Sequence, residues 1–346
     1  MEDEREIIRN IIKLIRLLKG LVFFVAGVAL LVVGYALGFF GQPVAQGSVL
    51  ESSHLPENST PPAPPNALWQ APDSTTIPAG AEGEKIRYGK ELIAHTSVYL
   101  GPEGKVLAMS NGMNCQNCHL KAGTVPYGNN FGRVASAYPK IRKRSGKMVD
   151  YEARINDCFE RSLNGQKLAE HSPEMQAMVA YLKWVGGGVG KGEELPGFGR
   201  FQIEPLDRPA DPKRGKQVFG QYCVQCHGPN GEGQLATNGR EWTYPPLYGE
   251  GSYNIGAGLY RVSGFAAFVK ANMPYGVTFE NTLLTDEEAW DVAAYVNSMR
   301  RPKKDLSQDW PDISQKPVDH PFGPYADSFT EQQHKYGPFD PMKVAN

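Results

Sequence analysis

The feature that most constrains this chain is a five-residue motif that occurs twice. CQNCH spans residues 115–119 and CVQCH spans residues 223–227, so the second motif begins 108 residues after the first. A C-x-x-C-H motif places two thiols and an imidazole on one short turn. This arrangement attaches haem through two thioethers and ligates its iron through the histidine. A redox dithiol, a zinc site or a disulfide is the alternative, and two identical spacings in one chain favour haem.

The sequence therefore predicts two covalently attached haem c groups. The expected attachment cysteines and proximal histidines are Cys115, Cys118 and His119 for the first haem, and Cys223, Cys226 and His227 for the second.

The segments around the two motifs follow the same order. A helical stretch precedes each motif, a loop-rich middle follows it, and a capped helix closes the unit. Ser172 and Pro173 supply the N-cap and first residue of one closing helix. Thr285 and Glu288 form a capping box for the other. The repeated order predicts two tandem helical domains of the cytochrome c type.

The N-terminus carries a membrane signal. Residues 21–40 (LVFFVAGVALLVVGYALGFF) contain no charged residue over a length that matches the hydrocarbon core of a bilayer. Basic residues precede this segment and the next one is Lys85, so the positive-inside rule places the N-terminus in the cytoplasm. A cleaved signal peptide is the alternative, although its apolar region is normally shorter. We expect a mainly α protein whose two haem domains lie in the periplasm, or otherwise outside the cytoplasmic membrane, behind one N-terminal transmembrane helix.

Composition divides the chain into seven segments. They are a cytoplasmic N-terminus (1–20), a transmembrane anchor (21–40), a Pro/Ser/Thr-rich linker (41–80), cytochrome c domain 1 (81–194), an interdomain linker (195–210), cytochrome c domain 2 (211–300) and an extended C-terminal tail (301–346). The tail is rich in proline and polar residues, and we expect it to wrap the second domain without regular structure.

Charge is unevenly distributed between the two halves. Residues 81–192 contain 16 Lys and Arg against 10 Asp and Glu, whereas residues 193–346 contain 15 against 20. The whole chain has a net charge of −1, which gives no reason to expect nucleic acid as a partner. The acidic second half predicts docking of a basic cytochrome c as electron acceptor.

Each haem needs a ligand on its second face. In the second domain, Met273 precedes Pro274 shortly before the last helix, which is typical of the distal ligand in small c-type cytochromes. Thioether ligation favours Fe(II) and raises the potential. Met299 is the other nearby methionine. Asn272, beside Met273, is a candidate to hold the Met273 ligand in place or to exchange with it.

The first domain has no matching Met-Pro pair, and several candidates stay open. These are Met109, Met113, Met148, Met175, Met178, His95, His171 and Cys158. Cys158 follows His119 by 39 residues, close to the 46 residues that separate Met273 from His227. A free thiol in an exported protein is also a liability unless it is used or buried.

The segment RINDCFERSLNG (154–165) between the two motifs resembles the dihaem thiosulfate dehydrogenases, also called tetrathionate synthases. The resemblance covers roughly residues 80–300. It implies that Cys158 is the distal ligand of the first haem and lies at the active site, and that Met273 serves the second haem, as in the methionine-ligated variant of the family. The metal ligands it implies are therefore His119, Cys158, His227 and Met273.

The implied substrate, thiosulfate, is a dianion, and its oxidation joins two of them into tetrathionate. A helix over 151–163 would place Arg154 and Ser162 on the same face as Cys158. Upstream, KIRKRSGK (140–147) packs five cations into eight residues, and Arg142 and Arg144 are the best placed of these to clamp sulfonate oxygens. A solvated basic loop is the alternative for this run. We expect Cys158, Arg144, Arg154 and Ser162 to be the catalytic residues.

Thiolate ligation would make the first haem the lower-potential site, so electrons would run from substrate to haem 1, to haem 2 and out to an acceptor. The same site would reduce tetrathionate if the potentials were reversed. Two other functions compete: a membrane-tethered dihaem electron carrier without its own substrate, and a sulfur-transferase subunit of a sulfur-oxidising complex. The electron carrier would explain both C-x-x-C-H motifs, the anchor and Met273, but it does not explain Cys158 or the basic run.

Overall fold

The computed structural model describes residues 17–20, 22 and 68–344. Residues 17–20 and 22 are helical. The predicted transmembrane segment 21–40 lies outside the described residues except for Val22, as does most of the linker 41–80. In the part of the chain that is described, no helix has the length and apolar character needed to cross a bilayer. Residues 68–344 lie in one compact unit, which contains both C-x-x-C-H motifs.

Buried apolar side chains within this unit separate into two clusters. The first runs from Trp69 to Val189 and the second from Ala210 to Met342. Each cluster surrounds one of the two motifs. The division confirms the prediction of two mainly helical domains. The last part of the predicted linker belongs to the first domain, because Trp69 is buried there and its N–H donates to the Pro196 carbonyl at 3.0 Å.

The first domain contains six helices and one hairpin. Its elements are α1 (Gly80–Ala94), α2 (Thr96–Leu100), α3 (Leu120–Gly123), α4 (Val134–Ala137), β1 (Lys140–Arg142), β2 (Lys147–Val149), α5 (Tyr151–Arg161) and α6 (Pro173–Val185), with 3₁₀ turns at Ser74–Thr76 and Cys115–Asn117. Within α3, Lys121 and Ala122 take left-handed backbone angles.

The second domain repeats the plan. Its elements are α7 (Pro212–Tyr222), α8 (Val224–His227), β3 (Gln234–Leu235), β4 (Trp242–Tyr244), α9 (Val262–Asn272) and α10 (Asp286–Ser298), with a 3₁₀ turn at Gly258–Tyr260. Strands β3 and β4 pair antiparallel.

The helix caps form as the sequence predicts. Ser172 accepts a hydrogen bond from the Met175 N–H at the start of α6, which ends at Gly186. Thr285 and Glu288 make the reciprocal bonds of a capping box on α10. These caps satisfy N–H groups that would otherwise lack helical partners.

In both domains the first and last helices cross at a glycine. A Cβ on Gly89 of α1 would lie 1.9 Å from the Ala177 carbonyl oxygen on α6. A Cβ on Gly215 of α7 would lie 1.9 Å from the Asp291 carbonyl oxygen on α10. Only glycine permits this close approach of the two backbones.

The basic run forms a hairpin rather than an open loop. Ile141 pairs with Met148 across the antiparallel strands β1 and β2, and both side chains are exposed. The chain then enters α5, whose N-cap is Asp150. The hairpin therefore fixes the basic residues next to the start of the helix that contains Cys158.

The tail differs from the prediction in two respects. It contains a 3₁₀ turn at Ile313–Gln315 and two short helices, α11 (Glu331–Tyr336) and α12 (Asp340–Val344). It also reaches the first domain, where the Trp310 N–H donates to the Arg144 carbonyl at 2.6 Å. The remainder packs on the second core as expected, with Met342 fully buried.

Candidate active site

A large cavity opens beside the first C-x-x-C-H turn. It has a volume of about 1,220 Å³ and will be called the first cavity. Cys115, Cys118, His119 and Cys158 all line it, and most of the remaining wall is apolar. The structure therefore brings Cys158 to the same space as the attachment motif, although 39 residues separate it from His119.

The geometry of His119 suits an iron ligand. Its Nδ1 lies 2.6 Å from the Asn129 carbonyl oxygen, an arrangement in which Nδ1–H donates and Nε2 is the ligand atom. The imidazole packs on Phe131 with ring centroids 4.5 Å apart. Burial lowers the pKa of His119 to about 4, so the imidazole is neutral at neutral pH, as metal ligation requires.

The first cavity fits haem c by its size, its apolar walls and its donor set. The backbone N–H of His119 donates to the Cys115 carbonyl at 2.9 Å. This bond closes the turn and places both thiols and the imidazole around one space. Two thiols, one neutral imidazole and one further sulfur are the groups that covalent attachment and axial ligation of haem use. If haem binds here, His119 and Cys158 are the candidate axial ligands.

Helix α5 presents Cys158 to this cavity. Arg154 lies one turn earlier, and its Nη1 donates to the Cys158 Sγ at 2.8 Å. The electrostatic interaction with Cys158 is the main cause that raises the pKa of Arg154 above its ordinary value. The helix is anchored from its opposite side by Asn156, whose amide bonds to both the N–H and the carbonyl of Leu168 at 2.8 and 3.0 Å.

Sequence reasoning missed Asp157. This carboxylate contacts Arg142 at 3.3 Å, Arg144 at 3.6 Å, Arg154 at 3.5 Å and Arg161 at 2.7 Å. Burial acts to raise its pKa, but the surrounding arginines outweigh burial and hold the pKa below its ordinary value of 3.8. All four arginines share Asp157 as a counter-ion. The i,i+3 and i,i+4 spacings to Arg154 and Arg161 were the only sequence signals for this arrangement.

Of the predicted catalytic residues, Ser162 reaches the site and Arg144 does not line the first cavity. Ser162 caps the C-terminal end of α5 and lines the first cavity. It also lines a gap of about 630 Å³, the bridging gap, which Cys158 and Arg154 share with Gly258 and Leu259 of the second domain. Arg144 lines a separate cavity of about 790 Å³, and its Nη1 lies 3.4 Å from the Gly256 carbonyl oxygen.

The structure places most of the other ligand candidates for the first haem elsewhere. Met109 and Met175 are core residues, Met148 and His171 are exposed, Met113 lines a different cavity, and His95 binds Glu241 at 2.7 Å. Met178 is buried and does contact the first cavity, from α6. Cys158 and Met178 are thus the two sulfur-bearing candidates at this cavity outside the attachment motif.

The second motif opens onto a cavity of about 1,750 Å³, the second cavity. Cys223, Cys226, His227 and Met273 all line it. The Nδ1 of His227 lies 2.9 Å from the Pro245 carbonyl oxygen, and burial lowers the pKa of this histidine. The donor set again fits haem c, with a neutral imidazole and a thioether as candidate axial ligands.

The residues near Met273 are distinguished by position. Met273 is the C-cap of α9 and points its side chain into the second cavity, whereas Met299 packs on the core without lining it. The Asn272 amide donates to the Phe268 carbonyl at 2.9 Å and to the Tyr127 carbonyl at 3.2 Å. Asn272 therefore joins α9 to the first domain.

The two cavities share part of one wall. Cys118 and Asn114 line both of them. The Asn114 amide donates to Glu241 at 3.1 Å, and Glu241 also binds His95 at 2.7 Å, so a carboxylate of the second domain holds two residues of the first. This contact fixes the domains together next to the shared wall.

Two helical domains, each with a C-x-x-C-H turn that opens onto a large apolar cavity, define a two-domain c-type cytochrome. Family models agree with this description. Residues 106–189 match the SoxA/TsdA cytochrome c domain, and residues 212–300 match cytochrome c.

Curated relatives are more specific. The chain is 36% identical over 237 residues to the thiosulfate dehydrogenase of Stutzerimonas stutzeri, which covers 68% of this chain and 74% of that protein. It is 37% identical over 243 residues to the thiosulfate dehydrogenase of Allochromatium vinosum, covering 69% of this chain and 86% of that protein. This chain belongs to the thiosulfate dehydrogenase family of cytochrome c oxidoreductases.

A solved structure has the same fold. The as-isolated form of the thiosulfate dehydrogenase TsdBA from Marichromatium purpuratum matches with a TM-score of 0.63 at 33% identity. The match covers 68% of this chain, and this chain spans half the length of the TsdBA chain.

Proposed function

We propose that this protein oxidises two thiosulfate dianions to tetrathionate at the sulfur of Cys158. The observation that carries the proposal is the position of Cys158, which faces the first cavity and accepts a hydrogen bond from Arg154 at 2.8 Å. A guanidinium at this distance stabilises negative charge on sulfur and attracts an anionic substrate. Ser162, one turn after Cys158, adds a hydroxyl donor on the same side of the helix.

The chemistry balances in two steps. First, the thiolate of Cys158 forms a bond to the sulfane sulfur of one thiosulfate, giving a protein S-thiosulfonate and releasing two electrons. A second thiosulfate then attacks that sulfane sulfur, the bond to Cys158 breaks, tetrathionate leaves and the thiolate is regenerated. Arg154 is placed to offset the negative charge on Cys158 before the first step and after the second.

We assign two haem c groups to the two cavities. The proposed attachment residues are Cys115, Cys118, Cys223 and Cys226, and the proposed axial pairs are His119 with Cys158 and His227 with Met273. Bound haem would supply a one-electron acceptor in each cavity, and an external cytochrome c would be the final acceptor of the two electrons. The shared wall at Cys118 and Asn114 supports short separation of the two cofactors. Reversal of the reaction depends on their potentials, which a redox titration of the holoprotein would give.

The domain organisation is proposed on the same basis, with haem domains at 81–194 and 211–300. We further propose that residues 21–40 anchor the protein in the cytoplasmic membrane and that both domains lie outside it. The uncharged run in the sequence supports this. Fractionation of cells that produce the full chain tests it: the anchor predicts that the protein stays with membranes in high salt and is released by detergent.

The substitution Cys158→Gly tests the proposed function. Tetrathionate formation from thiosulfate, measured with an artificial electron acceptor, should fall to background, and the optical spectrum of one haem should change while two haems per chain are retained. Ala153→Gly on the exposed face of α5 is the matched control, because it places the same helix-destabilising residue on the same helix. Full turnover with an unchanged spectrum in Cys158→Gly would refute the assignment.

A further inference from the structure

The cavity that holds Arg144 is built from three parts of the chain. The basic hairpin supplies one wall, the second domain another, and the C-terminal tail closes it. Its volume is about 790 Å³, and it will be called the cationic cavity. The side chains that define it are Arg142, Arg144, Arg200, Arg261, Trp310 and His320.

Positive charge in this cavity exceeds the negative charge that faces it. Asp309, the acidic residue among those that line it, makes a two-bond pair with Arg161 at 2.7 and 2.8 Å. Asp319 is bound to Arg261 and Ser263. Burial lowers the pKa of His320 to about 4, so at neutral pH this imidazole is uncharged and does not change the charge balance of the cavity.

The remaining counter-ion, Asp157, is shared among four arginines. Burial lowers the pKa of Arg144 to about 10. The charges of Arg161 and Arg142 lower it further, and the charge of Asp157 acts in the opposite direction. Arg200 is exposed overall, and partial desolvation of its guanidinium, together with the nearby Arg261, lowers its pKa. Desolvation is the main cause of both shifts and the neighbouring arginines add to it, so an anion bound in the cavity would stabilise the charged form of both guanidinium groups.

Trp310 provides an independent observation. The tail holds it at a φ of 61°, in the left-handed region that few non-glycine residues adopt, and its backbone N–H is bound to the Arg144 carbonyl. The indole Nε1 is buried and has no hydrogen-bond acceptor among the described residues. A buried donor normally has a partner, and an anion in the cationic cavity would supply one.

The cationic cavity lies next to the bridging gap. Arg200 lines both the cationic cavity and the bridging gap, which Cys158 and Ser162 line from the other side. Two dianions repel each other, so joining them requires a cationic position for each. An arginine between the two spaces is suited to that requirement.

We propose that the cationic cavity is a second oxyanion site, which binds the sulfonate group of a divalent sulfur oxyanion through Arg144, Arg200 and the indole N–H of Trp310. The inference rests on the proposed function, because the same sulfonate belongs either to the second thiosulfate or to the far end of tetrathionate. The first cavity would then hold the reacting sulfur of the oxyanion, while the cationic cavity would hold its non-reacting sulfonate end.

The first test uses the holoprotein with Trp310→Phe, which keeps an aromatic ring and removes the N–H. The thiosulfate concentration for half-maximal rate should rise about tenfold, because the charged sulfonate loses one hydrogen-bond donor. The kcat should stay within twofold of the parent value, and both haem spectra should be unchanged. Trp184→Phe on α6 is the matched control and should leave both parameters unchanged. Arg200→Gln, with exposed Arg214→Gln as its control, provides a second pair if Trp310→Phe does not fold.

The second test separates the two sources of the sulfonate. In the Cys158→Gly holoprotein, calorimetric titration with thiosulfate alone should give two sites per chain, and adding Trp310→Phe should remove one. Titration with tetrathionate in the same pair of variants shows whether the product also occupies the cavity. Loss of a site with either anion supports the proposal and identifies the occupant.

The second site is overturned if Trp310→Phe and Arg200→Gln match their controls in both kinetics and titration while the parent protein makes tetrathionate. If the parent makes none, the proposed function itself fails, and this outcome is distinct because it does not depend on Trp310.

Discussion

Arg154 Nη1 lies 2.8 Å from Cys158 Sγ, one turn earlier on the same helix. The same guanidinium is 3.5 Å from Asp157. One arginine thus joins the proposed reactive sulfur to a carboxylate that three other arginines also contact. The part of α5 that contains Cys158 is therefore held in an ion network rather than by apolar packing alone.

Removing the positive charge of Arg154 should impair turnover more than binding of haem. A hydrogen bond to a charged group contributes about 1.5–3 kcal/mol, so we expect kcat/KM of Arg154→Gln for thiosulfate to fall roughly 10- to 100-fold. Arg154→Lys keeps the charge and loses the fork of donors, so its kcat/KM should lie between those of the parent and Arg154→Gln. Exposed Arg87→Gln is the control. Equal kinetics for all variants, measured with an artificial acceptor, would remove Arg154 from the site.

Neutralising Asp157 should destabilise the first domain. Asp157→Asn leaves four arginines without their shared anion, and we expect the free energy of unfolding to fall by about 1–3 kcal/mol at pH 7. Exposed Glu103→Gln should change it little. Denaturant titration followed by circular dichroism measures the difference.

The same variant makes a prediction about pH. Because the folded pKa of Asp157 lies below its ordinary 3.8, its contribution is complete above that value and is lost as pH falls through the lower, folded pKa. The stability difference between parent and Asp157→Asn should therefore be constant above about pH 5 and shrink below about pH 4. A difference that instead grew on acidification would contradict this role.

Met273 and Met299 give a paired test of the second haem ligand. Met273→Ala should lower the midpoint potential of the second haem by on the order of 100 mV, because a thioether ligand favours the reduced iron. Met299→Ala should leave both potentials in place, since Met299 does not line the second cavity. Spectroelectrochemical titration of each holoprotein reports the values. The assignment fails if the two variants shift the potential alike.

Helix α7 contains a built-in control for the glycine crossing. Gly215→Ala would bring a methyl group against the Asp291 carbonyl oxygen and should cost about 1–3 kcal/mol through overpacking. Gly220, five residues later, has nothing within 4 Å of its Cβ position. Gly220→Ala should be neutral or stabilise by up to about 1 kcal/mol through helix propensity. Thermal unfolding should give a lower melting temperature for Gly215→Ala and an unchanged or higher melting temperature for Gly220→Ala. Equal melting temperatures would argue against a tight crossing.

Local patterns predicted what local patterns can specify. The C-x-x-C-H turns, the caps at Ser172 and Thr285, and the pairing of Arg154 with Cys158 depend on residues within one turn of each other. Their spacing fixes them whatever the rest of the chain does. The choice of Met273 over Met299 also followed from position along the chain. Of that pair, only Met273 lines the second cavity, and its role as an iron ligand stays a prediction.

The tertiary structure decided which distant residues share a space. Asp157 gained four arginine partners, two of them from the hairpin, because the fold brings β1 and its turn against α5. Arg144 was expected beside Cys158, but the hairpin directs it to the cavity that the tail closes with Trp310. The sequence determined the two C-x-x-C-H turns and the helix that contains Cys158. Only packing determined where their counter-charges lie, because contacts between residues far apart in sequence leave no periodic or spacing signal.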